Sequence, residues 1–75
     1  MALTREYCDD RARDAAEAAS LATLDNVRRR ELRSEAAWRE MSDRIRQTEN
    51  ARSIREAQRR AEQALIARES QPATD

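Results

Sequence analysis

Ser20-Leu21-Ala22-Thr23-Leu24-Asp25-Asn26 separates two runs of helical periodicity. Neither glycine nor proline marks the break. The signal is a cluster of Ser, Thr, Asp and Asn between periodic segments. Thr23, Asp25 and Asn26 each carry an oxygen able to cap a following helix. Leu24 then stands where an apolar residue ahead of the cap staples onto the first turn. A helix connection of about two to five residues reverses the chain, so this stretch reads as the bend of a helical hairpin.

Upstream, Thr4 caps a helix and Glu6 sits in its first turn, where a negative charge suits the helix dipole. Cys8, Ala12, Ala15, Ala19 and Ala22 follow at spacings of four, three, four and three, which places them in one stripe. Ala16 and Ala18 widen it. Small side chains let another helix come close, but they bury little area themselves.

Downstream, Val27, Ser34, Trp38, Met41, Ile45 and Thr48 recur at helical spacing, flanked by Leu32 and Ala37. Glu35/Arg39 and Glu40/Arg44 set an acid four residues before a base, the favourable order, at about 0.2–0.5 kcal/mol each. Glu56/Arg60 repeats the pattern. Ile54, Ala57, Ala61, Ala64 and Leu65 read as a continuation of the apolar stripe. Thr48-Glu49-Asn50 can cap a third helix or be passed through by one long helix. The expected organisation is one unit over residues 1–70, with a helix at about 4–22, a turn at about 23–26 and a helix at about 27–69. Residues 71–75, which include Pro72, are expected to form a disordered tail.

Those lengths do not match. A first helix of 19 residues spans roughly 28 Å and a second of 44 residues roughly 66 Å. The first covers only half of the second. Ile54, Ala61 and Leu65 then need either a second chain or a third helix folded back over Trp38.

Composition points the same way. Leu, Ile and Val number nine, Phe is absent, and Tyr7 and Trp38 are the only aromatics, whereas alanine occurs 15 times. Burial stabilises by about 25 cal/mol per Å², so 75 residues of this make-up give a poor core for one chain. The low aliphatic content and 40% charged residues are also those of a disordered chain. Two features decide for helix. The 15 basic residues, all arginine, balance 15 acids, and the remaining residues are mostly strong helix formers. The use of arginine alone, beside so much alanine, reads as the mark of a GC-rich coding genome.

Catalysis finds no support. Histidine is absent, so there is no proton shuttle near neutral pH and no imidazole ligand. Cys8 stands among Glu6, Asp9 and Asp10, which disfavour its thiolate, and it reads as a small buried residue. Asp9, Asp10 and Asp14 lack the spacing of a calcium loop. No enzyme activity, cofactor or metal is expected. Arg28, Arg29, Arg30 and Arg33 form the basic cluster that contacts nucleic acid if any residues do, and Arg52, Arg55, Arg59 and Arg60 form a second. Acids interleave with both, and no third of the chain departs far from neutrality, unlike a strongly basic nucleic-acid-binding domain. No apolar run is long enough to span a membrane, and Met1-Ala2-Leu3-Thr4-Arg5-Glu6 lacks the pattern of a signal peptide. A cytoplasmic location is the expectation.

The turn Thr23-Leu24-Asp25-Asn26-Val27-Arg28, with Ala36-Ala37-Trp38 and Met41 after it, resembles a group of short uncharacterised alphaproteobacterial helical-hairpin proteins. That group shares an Ala-rich first helix, a T-L-x-N-V-R turn and an A-x-W-x-x-M second helix. The similarity covers residues 5 to about 57. It implies a compact hairpin with Trp38 facing Ala15 to Ala19, and no activity.

The sequence therefore predicts an all-α protein: a helical hairpin with a long second helix, assembled into an oligomeric, coiled-coil-like bundle. Its expected role is structural or protein-interacting, either by self-association as a homodimer or by docking on a larger complex. A weak nucleic-acid-binding or regulatory role on the Arg clusters is the alternative. The residues expected in the core or interface are Ala12, Ala15, Ala19, Val27, Trp38, Met41, Ile45, Ile54, Ala61 and Leu65.

Overall fold

The computed structural model describes residues 3–70. Two helices make up the fold: α1, Arg5–Leu21, and α2, Asp25–Ser70. They run antiparallel as a hairpin, and the molecule measures 80 × 19 × 17 Å. The expected disordered tail at 71–75 lies outside the described residues.

Thr4 starts α1 as expected. Its backbone is extended, with φ −105° and ψ 157°, and its hydroxyl accepts the Tyr7 N–H at 3.1 Å. One of the four unpaired amides of the first turn is thereby satisfied. Ala22 ends the helix in an extended conformation, with its N–H donated to the Ala19 carbonyl at 3.3 Å. No described residue has a positive φ. The reversal is thus made by three residues in ordinary extended or bend conformations, which explains why it needs no glycine.

Helix α2 begins at Asp25, ahead of the expected Val27. The Leu24 carbonyl accepts the Arg28 N–H at 3.0 Å, so the helical ladder already reaches back to Leu24. Asp25 lies inside the first turn, where its charge suits the dipole and its carboxylate accepts from Arg29 Nε at 3.0 Å. The expected apolar staple is not made: Leu24 is 62% exposed.

From Asp25 the helix runs 46 residues without a break. Thr48-Glu49-Asn50 does not divide it. The Thr48 hydroxyl donates to the Arg44 carbonyl at 3.0 Å, back-bonding inside the helix where a cap would have bonded forward. At 1.5 Å per residue α1 extends about 26 Å and α2 about 69 Å. The base of the hairpin ends near Ile45, and every described residue from Arg46 onward is exposed.

The core is one seam. On α1, Cys8 and Ala12 are fully enclosed, and Ala15 and Ala19 nearly so. On α2, Val27, Glu31, Ser34, Trp38, Met41 and Ile45 are half-buried at spacings of four and three, the seam period of a two-helix coil. Ser42 beside them is buried, at 6% exposure. Small residues line one side and larger, partly polar ones the other. Two helices can thus approach closely, yet no side chain larger than cysteine is fully enclosed.

Candidate functional site

Glu31 and Ser42 occupy seam positions that hydrophobicity alone does not reveal. The four–three count from Val27 to Ile45 passes through Glu31, and Ser42 stands four residues after Trp38 and three before Ile45. Glu31 and Glu35 keep side-chain exposures of only 25% and 20%. Both side chains are thus largely covered although each ends in a charge, as long amphipathic side chains allow. Glu35 is held by Arg39 at 2.7 Å, and Glu31 has Arg30 at 3.8 Å. Glu40/Arg44 pairs at 2.9 Å, also as expected.

All ion pairs among the described residues join side chains of the same helix. Exposed pairs of this kind contribute about 0.3–0.5 kcal/mol each. They favour helix and do nothing to set the register of α1 against α2. That register is marked by an aromatic cluster. The Tyr7 ring meets the Trp38 indole edge-on, with centroids 5.7 Å apart, and the Arg11 guanidinium stands 5.9 Å from the Trp38 ring centroid. Trp38 therefore lies by the Tyr7–Arg11 end of α1. The expected position, facing Ala15 to Ala19, is corrected. Those alanines are nearer the bend and oppose the first turns of α2, since the antiparallel register brings residues equally far from the bend together.

Arg5, Glu6, Asp9, Arg13 and Glu49 line an open depression of about 450 Å³ beside the helix start. Three acids and two bases line it. Among the described residues no group of three or more His, Cys, Asp or Glu side chains is placed to hold a metal ion. Among them, also, no helix is long and apolar enough to cross a membrane.

The Arg cluster at the start of α2 is exposed, and acids occupy part of it. Arg29 is bonded to Asp25, and Arg30 stands near Glu31. Arg28 and Arg33 complete the cluster from neighbouring faces of the helix.

The distal arm of α2, residues 46–70, is the most distinctive feature. Ile54 lies nine residues past Ile45, and at roughly 100° per residue that is about two and a half revolutions. Ile54 thus faces away from the side that α1 occupies. Ala57, Ala61, Ala64 and Leu65 share its face. The expectation of one apolar stripe continuing from Ile45 is corrected: the arm's stripe is a separate one, on the opposite side of the same helix. Ile54 is 58% and Leu65 55% exposed, and Ala61 between them is exposed as well. By the same count the positions that prolong the seam are Arg52, Glu56 and Arg59. A helix packed over them would bury two guanidinium groups and a carboxylate, so charged residues fill the seam face where the cover of α1 ends.

Of the expected core and interface residues, the hairpin brings together Ala12, Ala15, Ala19, Val27, Trp38, Met41 and Ile45. Ile54, Ala61 and Leu65 stand apart from them on the arm. Compared with protein-family models, curated proteins and solved structures, the chain matches none.

Proposed function

We propose that this chain is a non-enzymatic structural or protein-interaction module. The α1–α2 base holds the helix direction, and the arm presents a binding face to another polypeptide. The observation that carries the reading is the line of Ile54, Ala57, Ala61 and Leu65 on a helix that no other described part of the chain covers. An amphipathic helix contributes most when its apolar face is buried against a partner.

The test compares the whole chain with its Leu65→Asp variant, each purified from the native cell under the same conditions. The hairpin base is far from position 65, so both chains fold alike. The reading expects a defined protein companion, a second copy of the chain included, that Leu65→Asp loses. An identical set of companions for both chains would overturn it.

A further inference from the structure

The face just described also carries charges in a pattern that selects its occupant. Arg55 and Glu62 flank the stripe on the same side, seven residues apart. Among the described residues neither enters an ion pair within its own chain. For Arg55 the sequence explains this: positions 51, 52, 58 and 59 are Ala, Arg, Gln and Arg, so no acid stands three or four residues away. Several arginines of the base differ: Arg29, Arg39 and Arg44 each have an acid four residues before them and Arg46 has one three residues before it, whereas Arg33, like Arg55, has none at either distance.

We infer that the arm pairs with the arm of a second copy of this chain, antiparallel, about a two-fold axis passing near residue 59. The inference rests on the interaction role proposed above and specifies its partner. In this register Ile54 meets Leu65 of the second copy, Ala61 meets Gln58, and the two-fold axis repeats both contacts. Ala57 and Ala64 lie along one flank, where their small size lets the helices approach. On the other flank Arg55 meets Glu62 of the second copy, twice.

Neighbouring registers are poorer. A slide of one heptad in one direction parts Ile54 from Leu65 and brings Glu62 against Glu62, although Arg55 then meets Glu69. A slide in the other brings Arg55 against Arg55. A parallel pair leaves Arg55 and Glu62 with no opposite charge across the seam. The arms overlap over about 22 residues, or roughly 33 Å. Each hairpin base then lies beyond the other's arm. Because α1 packs on the opposite face from the stripe, it meets no obstruction. The result is an elongated dimer with two helices at its centre and a hairpin at each end, not a compact four-helix bundle.

The experiment is sedimentation equilibrium of the full chain from about 5 to about 500 µM, where association shifts with concentration by mass action. Wild type is expected to pass from monomer toward dimer in that range. Leu65→Asp is expected to weaken the dimer by about tenfold or more. Arg55→Glu alone and Glu62→Arg alone are each expected to weaken it by about three- to tenfold, because each creates like-charge contacts, and the double variant is expected to return to within about twofold of wild type. Circular dichroism of each variant at the lowest concentration verifies that the hairpin is intact. A wild-type chain that stays monomeric throughout overturns the inference. So does a dimer in which the double variant is no tighter than either single one. In both cases the interaction role still stands if Leu65→Asp sheds a different protein companion, and it falls with the inference if no companion depends on position 65.

Discussion

The Tyr7 ring stands at 80° to the plane of the Trp38 indole, edge toward face, and this contact joins the first turn of α1 to the fourth turn of α2. It links residues 31 positions apart in sequence. Seam alanines are interchangeable in size, so a one-heptad slip would leave their packing similar. It would separate Tyr7 from Trp38. The aromatic pair therefore contributes to register as well as to stability.

Replacing that indole tests the point. Trp38 is half-buried, so Trp38→Ala is expected to cost less than a fully enclosed Trp, about 2–3 kcal/mol. That is a large share of the stability of so small a fold. Trp38→Phe keeps a ring opposite Tyr7 and should lose less than half as much. Thermal melts followed by circular dichroism at one fixed concentration give both values. An unchanged midpoint for Trp38→Ala would show that the clasp contributes nothing.

The seam should reject larger residues. Ala12 is fully enclosed, whereas Ala37 is exposed on the flank of the α2 seam. Ala12→Leu is expected to push the helices apart at a cost of about 1–3 kcal/mol. Ala37→Leu should change stability by less than about 0.5 kcal/mol. Urea unfolding of the two variants separates these outcomes.

Amide hydrogen exchange should divide α2 in two. Amides of the base share the protection of the whole hairpin, whereas the described residues from about Arg52 onward have only their own helix to rely on. In dilute solution, amides from about Arg52 to Ser70 are expected to exchange by local fraying, at least about tenfold faster than those from Glu31 to Ile45. Equal protection along α2 at that dilution would mean that the arm is covered.

The arginine clusters should not hold duplex DNA or RNA tightly. Arg29 and Arg30 already have acids beside them, and the chain carries no net charge. Little counterion release is then available to drive binding. Fluorescence anisotropy at physiological salt should show no binding below micromolar protein. A tight complex that weakens steeply with added salt would favour the nucleic-acid reading.

Much of the hairpin was legible because its signals are periodic. The run from Cys8 to Ala22 and the run from Val27 to Ile45 repeat at four and three, and Thr4 announces the first helix. The bend was legible from Ser, Thr, Asp and Asn, but the first residue of α2 was not. Several residues there can cap, and only the backbone bond from Arg28 to Leu24 decides among them. Glu31 and Ser42 were missed because a polarity pattern hides polar residues that occupy seam positions. The arm misled for a different reason. Ile45 and Ile54 are both apolar and both helical, and only counting the angle between them shows that they face opposite ways. As for a binding site, composition can show that an apolar face lacks cover. Choosing the occupant requires the placement of Arg55 and Glu62 around the helix axis.

Cys8, finally, is the chain's single thiol, and it has no exposed surface while α1 lies on α2. A thiol reagent can reach it only in molecules whose hairpin has parted. Its labelling rate therefore measures how often the two helices separate. Read against reagent concentration, that rate passes from reporting the fraction of open molecules to reporting the opening step itself. The base thus carries an internal clock for its own motion, in a chain where no engineered probe is required to read it.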